Sequence, residues 1–467
     1  LGIGIDQVDG IFHTHAHDDH FAGLTALMRA SRRIRYFATP LVRASVEKKL
    51  SALLGIKDEH FFTDFFDVKD LIFDKWNDVD GMEVMPVYSP HPVETNIFVF
   101  RVLWSEGYRT YAHFADIASL DILEAMVTDQ QEMPGLSQQA FERIRTAYLT
   151  PKDLKKIDIG GGMVHGNAKD FREDTSIRLL LSHCSSGLPP KEKEIGSSAP
   201  FSSIDVLVKG RMEEFRRHAL ACLQANLPGV SSHDLRILIN HPITLINPGA
   251  IFLKEGEASL EMLLLLSGRV ERIRARDNIV DMLSSGLLIG EDTLLDKRPS
   301  QHTYRASSFV WVLRLPIGLY NEVIRRNGLS DYVRRVADLR TYLNTISLFS
   351  EGLSATVLGR IVDGATERNF QADEFINGKD ILAINIIRSG LVERTVGGKI
   401  PEVLKPHDYF GEEGAILKIP SQYRLRALKE TSVLQIPGEL LEDVPIIRWK
   451  ILENCQHRTA RIALGTG

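Results

Sequence analysis

Residues 13–20 read His13-Thr14-His15-Ala16-His17-Asp18-Asp19-His20. Within them the pattern HxHxDH sets four metal-type ligands, His15, His17, Asp19 and His20, inside six positions. Packing does not explain such a run. A buried imidazole needs a hydrogen-bond partner, and four histidines in eight positions leave no room for several partners. Neutral imidazole nitrogens together with carboxylates suit zinc, manganese or iron better than calcium or magnesium.

Other elements must bring further ligands to this run. Val8–Phe12 reads as a strand leading into it, and Phe21, Leu24, Leu27 and Met28 then mark one face of a helix. Ile34–Ala38 reads as a strand. Thr39-Pro40 supplies an N-cap and a proline at the first helical position, opening a helix that stops near Gly55. Further strands are expected at Glu83–Tyr88, Asn96–Leu103, Arg109–Ala115 and Ile177–Ser182, with helices near 119–128 and 137–149. His91, Asp116 and His183, like the histidine run, fall just beyond the C-terminal end of an expected strand. In layered α/β folds loops converge over the sheet at those ends, so ligands distant in sequence can meet. The stretch 150–225, with Asp158, Gly160-Gly161-Gly162 and His165, is expected to form part of the pocket wall. His113 should point away from Asp116 by strand alternation and serve structure.

The bulk numbers narrow the class. A chain of 467 residues should hold roughly two to four domains. Its apolar content of 44% and charged content of 25% are those of an ordinary globular protein. A net charge of −5 without a basic tract disfavours nucleic acid as a constitutive partner. No apolar run approaches the length of a membrane span, and no secretory leader is visible. Cys184, Cys222 and Cys455 are scattered without CxxC spacing, which reads as reduced thiols in a cytoplasm.

From about residue 227 the chain repeats itself. Gly256, Gly268 and Glu271 recur as Gly378, Gly390 and Glu393, an offset of 122 (378 − 256). Gly290-Glu291, Pro299-Ser300-Gln301, Arg305-Ala306 and Pro316 recur as Gly411-Glu412, Pro420-Ser421-Gln422, Arg426-Ala427 and Pro437, an offset of 121 (411 − 290). A nearly constant offset is a duplication signal. Short apolar runs punctuated by Gly and Pro make each copy a β-barrel or jelly roll, and Ile317–Leu348 and Leu440–Leu464 supply helical flanks.

The N-terminal part resembles the metallo-β-lactamase-fold hydrolases over roughly residues 1–190, on HxHxDH and the downstream ligands. The resemblance implies an αββα sandwich. Carried over by position, His15, His17 and His91 would bind one metal, and Asp19, His20 and His183 a second, with Asp116 bridging. Two divalent ions about 3.5 Å apart lower the pKa of a shared water and polarise the scissile oxygen, so no serine or cysteine nucleophile is needed. Asp19 would orient as well as bind. His165 competes with His183 for the last ligand place. Ile177–Ser182 is the better strand to deliver His183, which makes His165 a substrate-contacting residue or proton carrier. The family usually has an N-terminal hairpin before the motif, whereas twelve residues precede the run here. Its diiron branch carries glutamate in place of the second histidine, and His17 favours hydrolysis. The alternatives are a diiron redox or oxygen-binding protein and a non-catalytic ligand sensor.

The two repeats resemble cyclic-nucleotide-binding domains, on Pro248-Gly249, Glu255-Gly256-Glu257, Leu266-Ser267-Gly268 and Gly290-Glu291, and on Phe410-Gly411-Glu412 in the second copy. The resemblance implies that Glu291 and Glu412 hold a ribose hydroxyl and that an arginine nine residues later pairs with the cyclic phosphate. Those positions hold Ser300 and Ser421. Arg298 could substitute in the first copy, while Ile419 stands at the matching place in the second. The fold class is therefore α+β and multidomain: a metal hydrolase over 1–226 and two β-rolls with helical flanks over 227–345 and 346–467. The expected cofactors are two divalent metals, zinc first and manganese or iron otherwise, with a cyclic nucleotide in doubt. The expected partners are a small-molecule substrate, a nucleotide effector and a second copy of the chain.

Overall fold

The computed structural model describes residues 5, 8–56, 61–128, 135–161, 164–184, 187–198, 207–208, 212–283, 285–290, 298–349, 353–377, 382–396, 402–419 and 423–464. The chain divides into two compact units. The first comprises Gly10–Thr25 and Ile34–Gly210; the second is chiefly Arg211–Gly467, with Gly2–Asp9 and Ala26–Arg33.

In the first unit β1 (Gly10–Phe12), β2 (Ile34–Ala38) and β3 (Phe66–Asp70) form a parallel three-stranded sheet. A seven-stranded sheet takes β4 (Asn77–Val79), β5 (Met82–Tyr88), β6 (Asn96–Trp104), β7 (Gly107–His113), β8 (Leu154–Asp158), β9 (Arg178–Ser182) and β10 (Ser197–Ser198) side by side in chain order. Its first four strands are antiparallel, and β7 to β10 run parallel. β5, β7, β8 and β9 therefore all end at one edge. Between the sheets Phe12 stacks on Phe37 at 4.7 Å and meets Phe100 edge-on at 5.0 Å. Such pairs add about 0.5–1.5 kcal/mol each beyond the area they bury.

Among the described residues this unit's helices are α1 (Asp18–Phe21), α3 (Pro40–Leu54), α4 (Phe61–Phe65), α5 (Leu120–Ala125), α6 (Gln138–Leu149) and α7 (Pro190–Lys193), while α2 (Leu24–Leu27) runs on into the Ala26–Arg33 segment of the second unit. α3 buries the stripe Val42, Val46 and Leu50, and α6 buries Phe141, Ile144 and Tyr148, each at helical spacing. The single helix expected across residues 21–28 is two short ones, α1 and α2. Thr39 stands at the N-cap of α3 without its hydroxyl capping the helix; the hydroxyl instead accepts from Nδ2 of Asn96 at 2.8 Å.

The second unit repeats one topology. The first copy has β11 (Ile243–Ile246), β12 (Ile251–Leu253), β13 (Glu261–Ser267), β14 (Val270–Arg274), β15 (Ile279–Leu283), β16 (Leu288–Ile289), β17 (Thr303–Ala306) and β18 (Val310–Pro316). The second has β19 (Thr366–Phe370), β20 (Phe375–Ile376), β21 (Ala383–Ser389), β22 (Val392–Val396), β23 (Glu402–Leu404), β24 (Tyr409–Phe410), β25 (Tyr423–Ala427) and β26 (Thr431–Pro437). Sheets β11-β18-β13-β16 and β12-β17-β14-β15 are matched by β19-β26-β21-β24 and β20-β25-β22-β23. Helices α8 (Glu213–Asn226), α9 (Ser232–Ile239), α10 (Ile317–Arg326), α11 (Ser330–Leu343), α12 (Ala355–Gly364) and α13 (Pro445–Leu464) flank the rolls.

The register explains the two sequence offsets. Val270 pairs with Leu283 and Val392 with Leu404, so the offset is 122 on one strand (392 − 270) and 121 on the next (404 − 283). The slip therefore falls between Arg272 and Asp281 in the first copy and between Arg394 and Glu402 in the second. The repeated glycines are required by backbone. Gly290 and Gly411 have φ of 108° and 87°, and a Cβ on Gly411 would stand 2.2 Å from the Ala383 carbonyl oxygen. No helix among the described residues is long and apolar enough to cross a membrane.

Candidate metal centre

The loop that carries the histidine run is tied down from both sheets. The His13 amide donates to the Phe37 carbonyl on β2, and the Asn96 amide on β6 donates to the Thr14 carbonyl, each at 3.0 Å. Lys49 of α3 adds bonds to the Ala16 carbonyl at 2.7 Å and to Asp18 Oδ1 at 2.5 Å. His91, Asp116 and His183 follow β5, β7 and β9 at the shared strand-end edge, as expected from the sequence.

Asp116 sits at the middle, 2% exposed. Its Oδ2 lies 3.4 Å from Nε2 of His15, 3.6 Å from Nε2 of His91 and 4.0 Å from Nδ1 of His17. Its Oδ1 lies 3.1 Å from Nε2 of His20 and 3.4 Å from Nδ1 of His183. One carboxylate thus divides its two oxygens between two groups of imidazoles. His17 and His91 meet at 3.0 Å, and His20 lies 3.4 Å from Asp19. One ligand atom each from His15, His17, His91 and Asp116 falls within 4.8 Å of the others, and the same holds for Asp19, His20 and His183.

The donor set fits a metal. Nε2 of His15, Nε2 of His20 and Oδ1 of Asp116 are buried and form no hydrogen bond among the described residues. Buried polar atoms are almost always paired, so lone pairs converging without donors point to cations. Burial lowers the His15 pKa and takes that of His91 down to about 4, keeping both imidazoles neutral as ligation requires. Burial alone would raise the Asp116 carboxyl, but His15 and His20 beside it outweigh that and hold it below the usual carboxylate range.

His183 adopts a left-handed backbone, with φ of 61°, immediately after β9. Such a conformation in a side-chain-bearing residue costs about 1–2 kcal/mol and is retained where it aims a group. His183 reaches both Asp116 and, at 3.4 Å, Oδ1 of Asp158. His165 stands next to it, with Nδ1 3.0 Å from Oδ2 of Asp158. The Asp158 carboxylate also accepts from the amides of Gly160 at 2.9 Å and Gly166 at 3.3 Å. Asp158 is the residue that sequence reasoning placed only in a pocket wall. The available signal was an aspartate ending Leu154-Lys-Lys-Ile-Asp158, which two lysines disguise as something other than a strand.

His113 bonds to the Tyr111 hydroxyl at 2.9 Å. In the rolls, Ser300 is buried and spends its hydroxyl inside its own turn, on the His302 carbonyl at 2.8 Å. Arg298 is exposed. Glu412 is fully buried just before the helical turn Glu413–Leu417. Glu291 and Ser421 lie outside the described residues.

A sandwich with this ligand edge, followed by two rolls of one topology, defines a metallo-β-lactamase-type domain joined to cyclic-nucleotide-binding-type domains. Comparison with known proteins agrees. The metallo-beta-lactamase superfamily model matches residues 1–96, and the cyclic nucleotide-binding domain model matches residues 244–327. A cGMP-dependent protein kinase of Toxoplasma gondii is 26% identical over 213 residues, which is 45% of this chain and 20% of the kinase. The chain therefore spans only a fifth of that relative's length. Among solved structures, the regulatory domain of Toxoplasma gondii PKA with cAMP is 17% identical with a TM-score of 0.27, covering 54% of this chain and all of that one. The regulatory subunit of a cAMP-independent protein kinase A from Trypanosoma brucei is 15% identical with a TM-score of 0.32, over 53% of this chain and 91% of that one.

Proposed function

We propose that the chain is a dinuclear metal-dependent hydrolase acting on an ester or phosphodiester bond of a small-molecule substrate, with the two rolls as nucleotide-responsive or dimerising modules. The hydrolase domain, expected over 1–226, would end near residue 210 instead, because Ala219 and Leu223 of α8 pack into the core of the first roll; the rolls would span 227–345 and 346–467. The observation that carries this reading is the division of the two Asp116 oxygens between His15, His17 and His91 on one side and His20 and His183 on the other.

His15, His17 and His91 with Oδ2 would hold one ion, and Asp19, His20 and His183 with Oδ1 the second. Zinc suits the donors, and manganese or iron share them. Such a pair supplies a water of lowered pKa and stabilises charge on the scissile oxygen. The chain's own groups do the rest. Asp158, fixed by the Gly160 and Gly166 amides, holds the His165 ring through Nδ1. That leaves Nε2 of His165 to pass a proton to the leaving group. Asp19 orients the attacking side.

Metal content by plasma emission, on protein purified without chelator, tests the reading in wild type and Asp116→Ala. The expected result is about two zinc or manganese per chain, reduced in the variant, with turnover in an ester and phosphodiester screen. Iron at that stoichiometry would turn the reading to redox chemistry. No metal under replete conditions would refute it.

A further inference from the structure

The histidine loop is held in two different ways along its length. Its front, His13 and Thr14, is bonded to β2 and β6, and Nδ1 of the fully buried His15 lies 3.1 Å from the Thr14 hydroxyl. Its back, Ala16 to Phe21, carries His17, Asp19 and His20. There the His20 amide donates to the His17 carbonyl at 3.2 Å and the Ala22 amide to the Asp18 carbonyl at 2.8 Å, bonds that shape the turn without fixing it to a sheet. Lys49 supplies the outside hold. α3 is seated by Val42, Val46 and Leu50, so Lys49 projects from a fixed backbone. Its ammonium donates to the Ala16 carbonyl at 2.7 Å and to Asp18 Oδ1 at 2.5 Å, and stands 4.7 Å from the centroid of the buried Phe21 ring. A carbonyl, a carboxylate and an aromatic face all attract a cation. One side chain thus grips the residue before His17 and both residues that bracket Asp19-His20.

Charge does not explain a lysine at this place. An ammonium that touches Ala16, Asp18 and Phe21 repels any cation bound by the residues between them. Its pairing with Asp18 is weak, because 95% of that side chain is exposed and solvent screens it. What remains is position. The ligands of the two Asp116 oxygens differ in how much they need it. On the Oδ2 side His15 is held against Thr14, and His17 meets His91 at 3.0 Å. On the Oδ1 side Asp19 has 67% of its side chain exposed and His20 19%, so packing restrains the aspartate little. Both sit in α1, the short helix whose first and last residues Lys49 contacts.

We propose that Lys49 is a positioning residue for the ion on the Oδ1 side of Asp116, fixing α1 so that Asp19 and His20 stay within reach of His183. This rests on the two-ion reading of the centre. Zinc titration of the metal-free full chain against a competing chromophoric chelator tests it. Wild type should bind about two ions per chain. Lys49→Met keeps the stem of a side chain that is 31% exposed, and the melting temperature of the metal-free protein controls for folding. In that variant one ion should bind as in wild type and the other roughly 10–100-fold more weakly. Electrostatics alone predicts the opposite sign, since removing an ammonium should tighten both ions. Adding His183→Ala to Lys49→Met should cost no further ion, whereas adding His91→Ala should cost the remaining one. Unchanged or tighter binding in Lys49→Met, equal weakening of both ions, or the reverse pattern in the double variants would overturn the inference alone. If Lys49→Met melts early, Lys49→Gln, which can still donate to the Ala16 carbonyl, decides by the same outcomes. Fewer than two zinc ions in wild type would refute the two-ion reading and the inference with it.

Discussion

Nδ1 of His165 lies 3.0 Å from Oδ2 of Asp158, and the imidazole fills the place where a Cβ on Gly160 would stand, 2.9 Å from the ring's Cγ. The glycine and the aspartate together set where this histidine sits beside His183.

Gly160→Ala should therefore displace the His165 ring without touching a ligand. Misplacement of a reacting group by about 1 Å can lower rates by up to about a hundredfold. Hydrolysis of bis(4-nitrophenyl) phosphate should fall by at least about tenfold in the variant, with metal content unchanged. A wild-type rate would show that the position of His165 is irrelevant to turnover.

The split of Asp116 predicts distinct losses. His91→Ala removes a ligand from the Oδ2 side and His183→Ala one from the Oδ1 side. Each should lower metal from about two to about one per chain, since a ligand or its supporting partner typically changes affinity by roughly 10–100-fold. Full metal content in His183→Ala, together with loss in His165→Ala, would reassign the last ligand.

Burial, with Lys156 second, pushes the His113 imidazole from its ordinary 6.5 down to about 3. Between those values the unfolded chain binds a proton that the folded chain does not. Stability therefore falls as pH drops below 6.5 towards 3, and above 6.5 this group contributes no pH dependence. Melting temperature should decline from pH 7 to pH 5, and less steeply in His113→Gln. Parallel curves for the two proteins would assign the acid sensitivity elsewhere.

Lys155 and Asp174 form an ion pair with both side chains fully buried, and Lys155 also donates to the Tyr148 carbonyl at 2.7 Å. Lys155→Met strands the aspartate and should destabilise the sandwich by about 3–5 kcal/mol. Adding Asp174→Leu should restore much of that loss in a denaturant titration. No recovery in the double variant would mean that Lys155 acts through the Tyr148 carbonyl instead.

That pair also shows where sequence reading ends. The histidine run, the strands before His91, Asp116 and His183, and the duplication were legible because each is a local pattern or a fixed offset. β8 was not. Leu154, Lys155, Ile157 and Asp158 are all buried, yet the lysine makes the segment look like a surface, and its partner lies nineteen residues on (174 − 155). With β8 hidden, Asp158 could be placed near the pocket but not between His165 and His183. β3 was likewise missed, because its outer half, Lys69-Asp70, is exposed and charged. The left-handed turn at His183 has no signature, since the residue is not a glycine.

The anchoring of the histidine loop has one more consequence. Its amide and carbonyl at His13 and Thr14 are held by β2 in one sheet and β6 in the other. The ligands it carries can reach Asp116 and His91 only after the two sheets have closed on each other. The proposed centre would thus act as a coincidence detector for tertiary assembly: an isolated half of the sandwich has no complete candidate ligand set, and any ion bound there would return its binding free energy to the folded state as stability.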